Sequence, residues 1–286
     1  MPEGPEIRRA ADRIEAVLAG RVIESISFGL PRLQDYAARF LGQRVSALET
    51  RGKALLTHFG NGWTIYSHNQ LYGVWRVVPR GRLPDTQRSL RIALHTDTHS
   101  ALLYSASDIS VWPTPEIEQH PFLSRIGPDI LSPRLHWRDI AALLGSDTFR
   151  RRRLEALYLD QRFLAGSGNY LRAEILFAAG LDPMRKAGSL ARGERGALAR
   201  ATLQVSQRSY ASAGITLPPA LAKRLESQGL PREQRRFFVF GRDGLPCYRC
   251  TSPVARDETG GRRLYWCPAC QRADQTPFAR HPLLKK

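Results

Sequence analysis

Apolar positions near the start of the chain recur every three to four residues. This spacing predicts a first helix over residues 3–19, with Gly20 as its stop signal. The positions that carry it are Ile7, Ala10, Ala11, Ile14, Val17 and Leu18.

The pattern changes after residue 20. From residue 21 to about 107, short runs of β-branched and aromatic residues are broken by Gly, Pro and Asn, which predicts strands of a sandwich or barrel. The clearest runs are residues 22–26, 63–66, 74–78 and 101–104.

Beyond Pro113 and Pro115 the pattern is helical. It predicts an α-helical second half of the chain. The helical segments are residues 137–144, 152–158, 170–180 and a stretch around 195–209.

Charge distinguishes the two halves. The 286 residues have a formal net charge of +17, and residues 1–130 hold 15 basic and 13 acidic side chains, so most of the excess lies after residue 130. This asymmetry predicts a polyanionic partner, with nucleic acid favoured over a membrane surface. The alternative is an arginine-rich composition typical of the source organism, since 38 of the 43 cations are Arg.

No apolar run approaches the roughly 20 residues that span a bilayer, and the N-terminus is too polar for a signal peptide. These features predict a soluble cytoplasmic protein with no membrane partner.

All four cysteines lie near the C-terminus, as the pairs Cys247/Cys250 and Cys267/Cys270 with sixteen residues between the pairs. Two C-x2-C pairs at this spacing favour a tetrahedral Zn²⁺ site over two disulfides or a redox pair. Four protein ligands leave no position for a catalytic water, so the predicted zinc ion is structural.

The segment between the cysteine pairs predicts a β-hairpin, because Gly260 and Gly261 form a turn dipeptide before strand-prone residues. The turn would present Arg262 or Arg263 near a rigid tip, where an arginine suits phosphate. A solvated arginine pair on a surface turn is equally compatible with this spacing.

Two further features suggest chemistry. Removal of Met1 would leave Pro2 with a secondary amine, a usable nucleophile, with Glu3 and Glu6 nearby as acids or bases. An ordinary N-terminus before an acidic first helical turn is the alternative. Lys53, at the opening of a predicted strand, is the only lysine in the first 185 residues, which hints at proton transfer.

Five stretches together resemble the formamidopyrimidine-DNA glycosylase/endonuclease VIII family, most closely its bacterial endonuclease VIII branch. They are MPEGPEIRRAADRIE at residues 1–15, TRGKALLTHF at 50–59, YSHNQLYGVW at 66–75, DQRFLAGSGNYLR at 160–172, and the cysteine hairpin. The resemblance covers essentially the whole chain to Cys270.

The resemblance implies a multi-domain α+β fold. An N-terminal catalytic β-sandwich with its helix would occupy residues 2–125, and a helical domain with a helix-two-turn-helix motif residues 126–235. A zinc-finger hairpin would occupy residues 236–272, and a basic, disordered tail residues 273–286.

It also implies a bifunctional DNA glycosylase and apurinic/apyrimidinic lyase of base excision repair, acting as a monomer on double-stranded DNA with oxidised bases or abasic sites. By position, Pro2 matches the nucleophile that attacks C1′ and forms the Schiff base before β,δ-elimination. Glu3 matches the acid that protonates the sugar ring oxygen, Glu6 an orienting residue, and Lys53 a strand-borne proton donor.

Other positions match DNA contacts of the family. Arg262 matches the finger arginine, with Arg263 a weaker candidate, while Asn169 and Arg172 match the clamp on phosphates beside the lesion and Arg125 another contact. Base flipping leaves a gap in the duplex. Residues Gln70, Leu71 and Tyr72 match the wedge that fills it, although the pattern alone places Leu71 and Tyr72 in a strand core.

The wedge and the Gly-Pro after Glu3 favour oxidised pyrimidines over the purine branch, which removes 8-oxoguanine and formamidopyrimidines. A zinc-finger DNA-binding protein without catalysis would explain the charge and the cysteines equally well. Ser167, where relatives commonly have an apolar residue, and the tail after Cys270 depart from the family pattern.

Overall fold

A computed structural model describes residues 2–272. Met1 and residues 273–286 lie outside this range. The predicted disorder of the tail therefore concerns residues outside the described part of the chain. The chain divides into two compact units, residues 1–126 and 127–286. The finer division into four parts stays a prediction. Within residues 2–272, no helix combines the length and the apolar composition that a membrane span requires.

The first unit begins with the expected helix, α1 (Gly4–Leu18). Pro5 suits the first turn because its missing N–H has no partner there in any helix, and Glu6 accepts a hydrogen bond from the backbone before the helix. The apolar stripe that predicted the helix is its buried face.

Eight strands follow in the first unit and form two antiparallel four-stranded sheets, ordered β1-β6-β7-β5 and β2-β3-β4-β8. The strands are β1 (Ser25–Phe28), β2 (Val45–Arg51), β3 (Ala54–Phe59), β4 (Trp63–His68), β5 (Val74–Pro79), β6 (Leu90–His95), β7 (His99–Tyr104) and β8 (Asp108–Pro113). A short helix, α2 (Ala37–Phe40), lies between β1 and β2.

Side chains from both sheets share one core with α1, which confirms the predicted sandwich. Ile14 of α1, Leu55 of β3 and Leu103 of β7 are fully buried members of this core. The strand expected at residues 22–26 is shifted, because Val22 makes only an isolated bridge to Arg44 and β1 starts at Ser25.

The second unit is helical and ends in a hairpin. Its elements are α3 (Trp137–Gly145), α4 (Leu154–Leu157), α5 (Asn169–Ala179), α6 (Arg192–Ala211), α7 (Pro219–Ser227), β9 (Ala255–Thr259) and β10 (Arg262–Trp266). The helix expected at residues 152–158 is confined to α4, because the residues before it run extended and pair with a neighbouring segment at Lys186.

Helix α5 is buried on nearly all sides and carries two fully buried charged side chains, Arg172 and Glu174. The Glu174 carboxylate accepts backbone N–H groups of Phe238, Val239 and Phe240 at 2.8, 2.9 and 3.0 Å, and the Thr216 hydroxyl at 2.6 Å. A carboxylate in this position needs such donors because burying an unpaired charge is very unfavourable. Glu174 thereby fixes the segment that leads into the cysteine-bearing hairpin.

We expect Glu174→Gln to lower the free energy of unfolding by about 1–3 kcal/mol, because the new amide N–H₂ would face backbone and hydroxyl donors. Urea denaturation of the full chain measures this change. Glu226→Gln is the matched control, since Glu226 pairs with Arg235 with most of its carboxylate exposed, and its effect should stay within about 0.5 kcal/mol. Equal destabilisation by the two variants would refute a special role for Glu174.

Candidate functional site

Pro2 and Glu3 stand directly before α1. Pro2 is half-buried, whereas the Glu3 side chain is only 3 % exposed. The Glu6 carboxylate accepts the Glu3 backbone N–H at 3.0 Å. This bond fixes the backbone that follows Pro2, which gives the predicted orienting role of Glu6 a physical basis.

Lys53 lies in a two-residue turn and not on a strand, which corrects the expected placement. Gly52, with φ of +62°, and Lys53 connect β2 to β3, and the pair Arg51–Ala54 closes the hairpin. A turn of this kind needs a left-handed residue, which glycine supplies. The Lys53 side chain is 9 % exposed, so the lone lysine of the first 185 residues is held in a buried position.

His68 ends β4 and pairs in register with Ala54, the residue after Lys53. Burial lowers the pKa of His68, and the charge of Lys53 lowers it further, against the opposing effect of Asp108. The His68 Nδ1 accepts the backbone N–H of Gln70 at 2.9 Å. His68 therefore connects Lys53 with the following loop. It stands inside the recognised motif, but sequence reasoning assigned it no role.

Residues 69–73 form a loop between β4 and β5 that exposes two large apolar side chains. Leu71 is 49 % and Tyr72 68 % exposed, so their placement in a strand core, which the pattern alone favoured, is wrong. Contiguous exposed apolar surface is a feature of interaction sites.

The backbone of this loop is well supported. Gly73 N–H donates to the Asn69 carbonyl at 2.7 Å, and a Cβ on Gly73 would lie 2.4 Å from that oxygen. Arg88 Nη1 donates to the Tyr72 carbonyl at 2.6 Å, and the Ser107 hydroxyl donates to Gln70 Oε1 at 2.9 Å. These contacts hold the exposed side chains on a defined backbone. The sequence pattern gave no signal for Arg88 or Ser107.

Arg125 ends a short 3-10 helix, Leu123–Arg125, in the first unit. Its side chain is exposed, and its Nε donates to the Pro121 carbonyl at 2.7 Å. One hydrogen bond to the backbone therefore holds this exposed guanidinium.

In the second unit, Asn169 begins α5 and is half-buried. The Gln161 side chain supports the preceding loop, donating to the Ser167 carbonyl at 2.9 Å and accepting the Gly166 N–H at 3.0 Å. Ser167 itself is fully buried, and within residues 2–272 its hydroxyl has no hydrogen-bond partner. A smaller or apolar side chain would therefore suit this position equally well.

Arg172 is fully buried, so its guanidinium is not presented to a phosphate at the surface. This corrects the expectation that Arg172 contacts the phosphates beside the lesion directly. Its Nη2 donates to Asn169 Oδ1 at 2.6 Å and to the Arg263 carbonyl at 2.8 Å, and its Nη1 donates to the Glu155 carbonyl at 3.2 Å. Arg172 thus orients Asn169 and anchors the hairpin.

Strands β9 and β10 form the expected hairpin, with Gly260 and Gly261 at φ of +57° and +70° in its turn. Positive φ at both central positions is the requirement of a type I′ turn. Arg262 follows the turn and is exposed, opposite Thr259. Arg263 is also exposed, but its carbonyl is held by Arg172.

The four cysteines converge at the base of this hairpin. The Sγ atoms lie within 4.8 Å of one another, with Cys247–Cys270 at 4.0 Å and Cys250–Cys267 at 3.4 Å, and none of the four forms a disulfide. A tetrahedral ion with Zn–S bonds of about 2.3 Å has sulfur atoms about 3.8 Å apart. The donor set and its spacing therefore fit a closed tetrahedral metal site.

Two family models match the chain. The formamidopyrimidine-DNA glycosylase N-terminal domain covers residues 1–107, and the formamidopyrimidine-DNA glycosylase H2TH domain covers residues 122–218. Endonuclease 8 of Escherichia coli K12 is 48 % identical over 271 residues, covering 95 % of this chain and 100 % of the relative. Endonuclease 8 of Salmonella arizonae is 46 % identical over 272 residues, with the same coverage.

Solved structures share the fold. Lactococcus lactis Fpg in complex with N7-benzyl-Fapy-dG DNA matches with a TM-score of 0.79 at 20 % identity, covering 95 % of this chain and 100 % of that chain. A complex of the same protein with an oxidised-pyrimidine DNA matches at 0.78 and 20 % identity, with the same coverage. A complex with abasic-site DNA matches at 0.78 and 19 %, covering 94 % and 99 %.

The positive charge of Lys53 acts on the His68 ring. Because a neighbouring positive charge disfavours protonation of an imidazole, Lys53→Met should raise the pKa of His68. An NMR pH titration of the His68 ring measures this pKa. The neutral ring should carry its proton on Nε2, because Nδ1 accepts the Gln70 N–H. Arg21→Met, which removes an exposed cation paired with Asp97, should leave the titration unchanged. An unchanged His68 pKa in the Lys53 variant would show that the two groups do not interact.

Proposed function

This chain belongs to the formamidopyrimidine-DNA glycosylase/endonuclease VIII family of DNA glycosylase/apurinic-apyrimidinic lyases, and we propose that its base-excision chemistry begins at the amine of Pro2. The observation that carries the proposal is the placement of Pro2 immediately before the buried Glu3 and the capped start of α1. Removal of Met1 would release the amine. The positive end of the α1 dipole beside it disfavours the protonated amine and so favours the nucleophilic form.

In the first step, the Pro2 nitrogen forms a bond to C1′ of the damaged nucleotide while the N-glycosidic bond breaks, and the proton lost from the Pro2 amine leaves with the base. Glu3, next to Pro2 and shielded from bulk water, protonates the sugar ring oxygen as the ring opens. The product is an iminium between Pro2 and C1′. Glu6 keeps the Glu3 backbone in place through the 3.0 Å hydrogen bond.

The lyase steps follow from the iminium, which acidifies the proton on C2′. Loss of that proton breaks the C3′–O bond and expels the 3′ phosphate by β-elimination. Loss of the C4′ proton then breaks the C5′–O bond and expels the 5′ phosphate by δ-elimination. Lys53 supplies protons in these steps. Its buried turn position suits this role, because a compact ammonium can be deprotonated where a guanidinium cannot.

The exposed residues Gln70, Leu71 and Tyr72 act as the wedge. A flipped nucleotide leaves a gap in the stack, and the half-exposed Leu71 and the exposed Tyr72 ring supply apolar surface to fill it. The Gln70 amide is suited to hydrogen bonding with the orphaned base. The loop supports from Arg88 and Gly73 reduce the ordering that binding would otherwise require.

Contacts to DNA phosphates come from exposed or half-buried donors. Asn169 and Arg262 bind the phosphates beside the lesion, and Arg125 binds a further one. Arg172 acts as a positioning residue, since it is buried and holds the Asn169 side chain and the Arg263 carbonyl. Phosphate contacts of this kind position the protein on DNA and carry no sequence information. We infer that the protein acts as a monomer on its DNA.

Oxidised pyrimidines are the proposed substrates. Sequence identity of 46–48 % to Endonuclease 8 over the whole length of those relatives supports this branch, whereas the Fpg structures are about 20 % identical. The wedge triplet supports the same choice. The alternative substrates are oxidised purines, and the borohydride trapping described below distinguishes the two classes.

Cys247, Cys250, Cys267 and Cys270 bind a single structural Zn²⁺. The four sulfur ligands complete a tetrahedral shell, so the ion stabilises the hairpin that carries Arg262 and supplies no catalytic water.

Borohydride trapping on a duplex with one thymine glycol tests the nucleophile. We expect a covalent adduct that mass spectrometry assigns to Pro2 of the processed chain. Pro2→Gly should reduce the trapped fraction by about tenfold or more with DNA affinity retained. Glu3→Gln should slow base removal by about 10²–10⁴-fold, and it keeps the Pro2 amine.

The trapping experiment has three outcomes that distinguish the candidates. An adduct on thymine glycol supports the pyrimidine branch. Trapping only on 8-oxoguanine moves the protein to the purine branch. No trapping on either duplex, with tight DNA binding retained, indicates a non-catalytic DNA-binding protein.

Metal removal tests the finger. Native mass spectrometry should show one zinc ion per chain, and its release by a thiol-reactive mercurial should abolish specific DNA binding, because folding of the hairpin depends on the metal. Cys267→Ser should lose both the ion and the affinity. Full zinc content in this variant would contradict the proposed ligand set.

A further inference from the structure

Two exposed cations of the second unit face each other across a short backbone bridge. Arg153 and Lys186 are antiparallel bridge partners. The bridge is flanked by hydrogen bonds from Leu154 N–H to the Arg185 carbonyl at 2.9 Å and from Ala187 N–H to the Arg152 carbonyl at 3.0 Å. This is the non-hydrogen-bonded pair position of a ladder, at which opposed side chains leave the backbone on the same face and closest together.

The two segments cannot readily move apart. Gly188 N–H donates to the Arg150 carbonyl at 2.7 Å, and a Cβ on Gly188 would lie 2.8 Å from that oxygen. Only glycine permits this approach. The separation of Arg153 and Lys186 is therefore set by the backbone.

Three neighbouring arginines on the same segments have carboxylate partners, whereas among the described residues this pair and the exposed Arg151 have none. The ion pairs are Arg150–Asp147 at 2.9 Å, Arg152–Asp160 at 2.6 Å and Arg185–Glu194 at 2.5 Å. In the part of the chain that the structure describes, neither Arg153 nor Lys186 forms an ion pair, and both side chains are exposed.

Like charges at directly opposed ladder positions destabilise a fold. A pair fixed in this way is suited to a ligand that supplies the missing negative charge between the two groups. A phosphodiester fits, because its two non-bridging oxygens can accept from a guanidinium and an ammonium at once.

We propose that Arg153 and Lys186 together bind one backbone phosphate of the DNA, a contact additional to those of Asn169, Arg262 and Arg125. This inference rests on the proposed function, because DNA is the polyanion it requires. The contact adds affinity and orientation and takes no part in the chemistry.

The salt dependence of DNA binding tests the proposal. The plot of log Kobs against log salt has a negative slope, and loss of one phosphate contact makes it shallower by about 0.9. The wild type binds more tightly than Arg153→Gln/Lys186→Gln, and this affinity ratio should therefore fall about 3.5-fold as salt is raised from 50 to 200 mM. The matched control is Arg21→Gln/Arg150→Gln, which also removes two positive charges but from arginines that already have carboxylate partners. The control should keep the wild-type slope, and an equal change in both variants would overturn the proposal.

A methylphosphonate scan then locates the contact. Single neutral linkages are placed along an undamaged duplex, and one position should weaken the wild type but not the double variant. If no position distinguishes the two proteins, the paired contact does not exist.

The free protein provides an independent readout. Because the variant removes an opposed like-charge pair, its Tm at low salt should rise by about 1–3 °C. A fall in Tm together with weaker binding would indicate that the pair is structural, which overturns the proposal. Trapping on thymine glycol is run in parallel, since failure of trapping in the wild type refutes the proposed function and not this contact.

Discussion

The second unit depends on the burial of a carboxylate and a guanidinium on one helix. Glu174 and Arg172 of α5 are removed from water, and surrounding backbone and side-chain groups supply the hydrogen-bond partners that each charge needs. Glu174 binds the segment before the cysteine hairpin, and Arg172 binds the Arg263 carbonyl within it. The position of Arg262 therefore follows from two interactions made in the interior, far along the sequence from the hairpin turn.

In the first unit, the residues proposed to carry the chemistry lie at the ends of regular elements. Pro2 precedes a helix, Lys53 occupies a hairpin turn, and residues 70–72, the proposed wedge, lie between two strands. The central positions of β3 and β4 are buried, whereas the residues proposed for catalysis and for the wedge lie where regular elements begin or end. His68 connects two of these places, because it senses the charge of Lys53 and accepts a hydrogen bond from Gln70.

Arginine serves two purposes in this chain. Some guanidinium groups, such as that of Arg152, pair with a nearby carboxylate and hold loops together. Others, such as those of Arg153 and Arg262, are exposed, and within residues 2–272 no ion pair involves them. The paired guanidinium groups contribute to folding. The unpaired ones contribute to the net charge of +17 and remain available to anions such as phosphate.

The sequence by itself determined the elements and motifs whose signal is local. Apolar periodicity predicted α1, the Gly260–Gly261 turn predicted the hairpin, and cysteine spacing predicted the cluster that the structure brings together. Only the tertiary structure decided that Leu71 and Tyr72 are exposed, that Lys53 sits in a turn, and that Arg172 is buried and positions Asn169. Burial is a property of partners distant in sequence, and a local pattern contains no information about which of them will cover a given side chain.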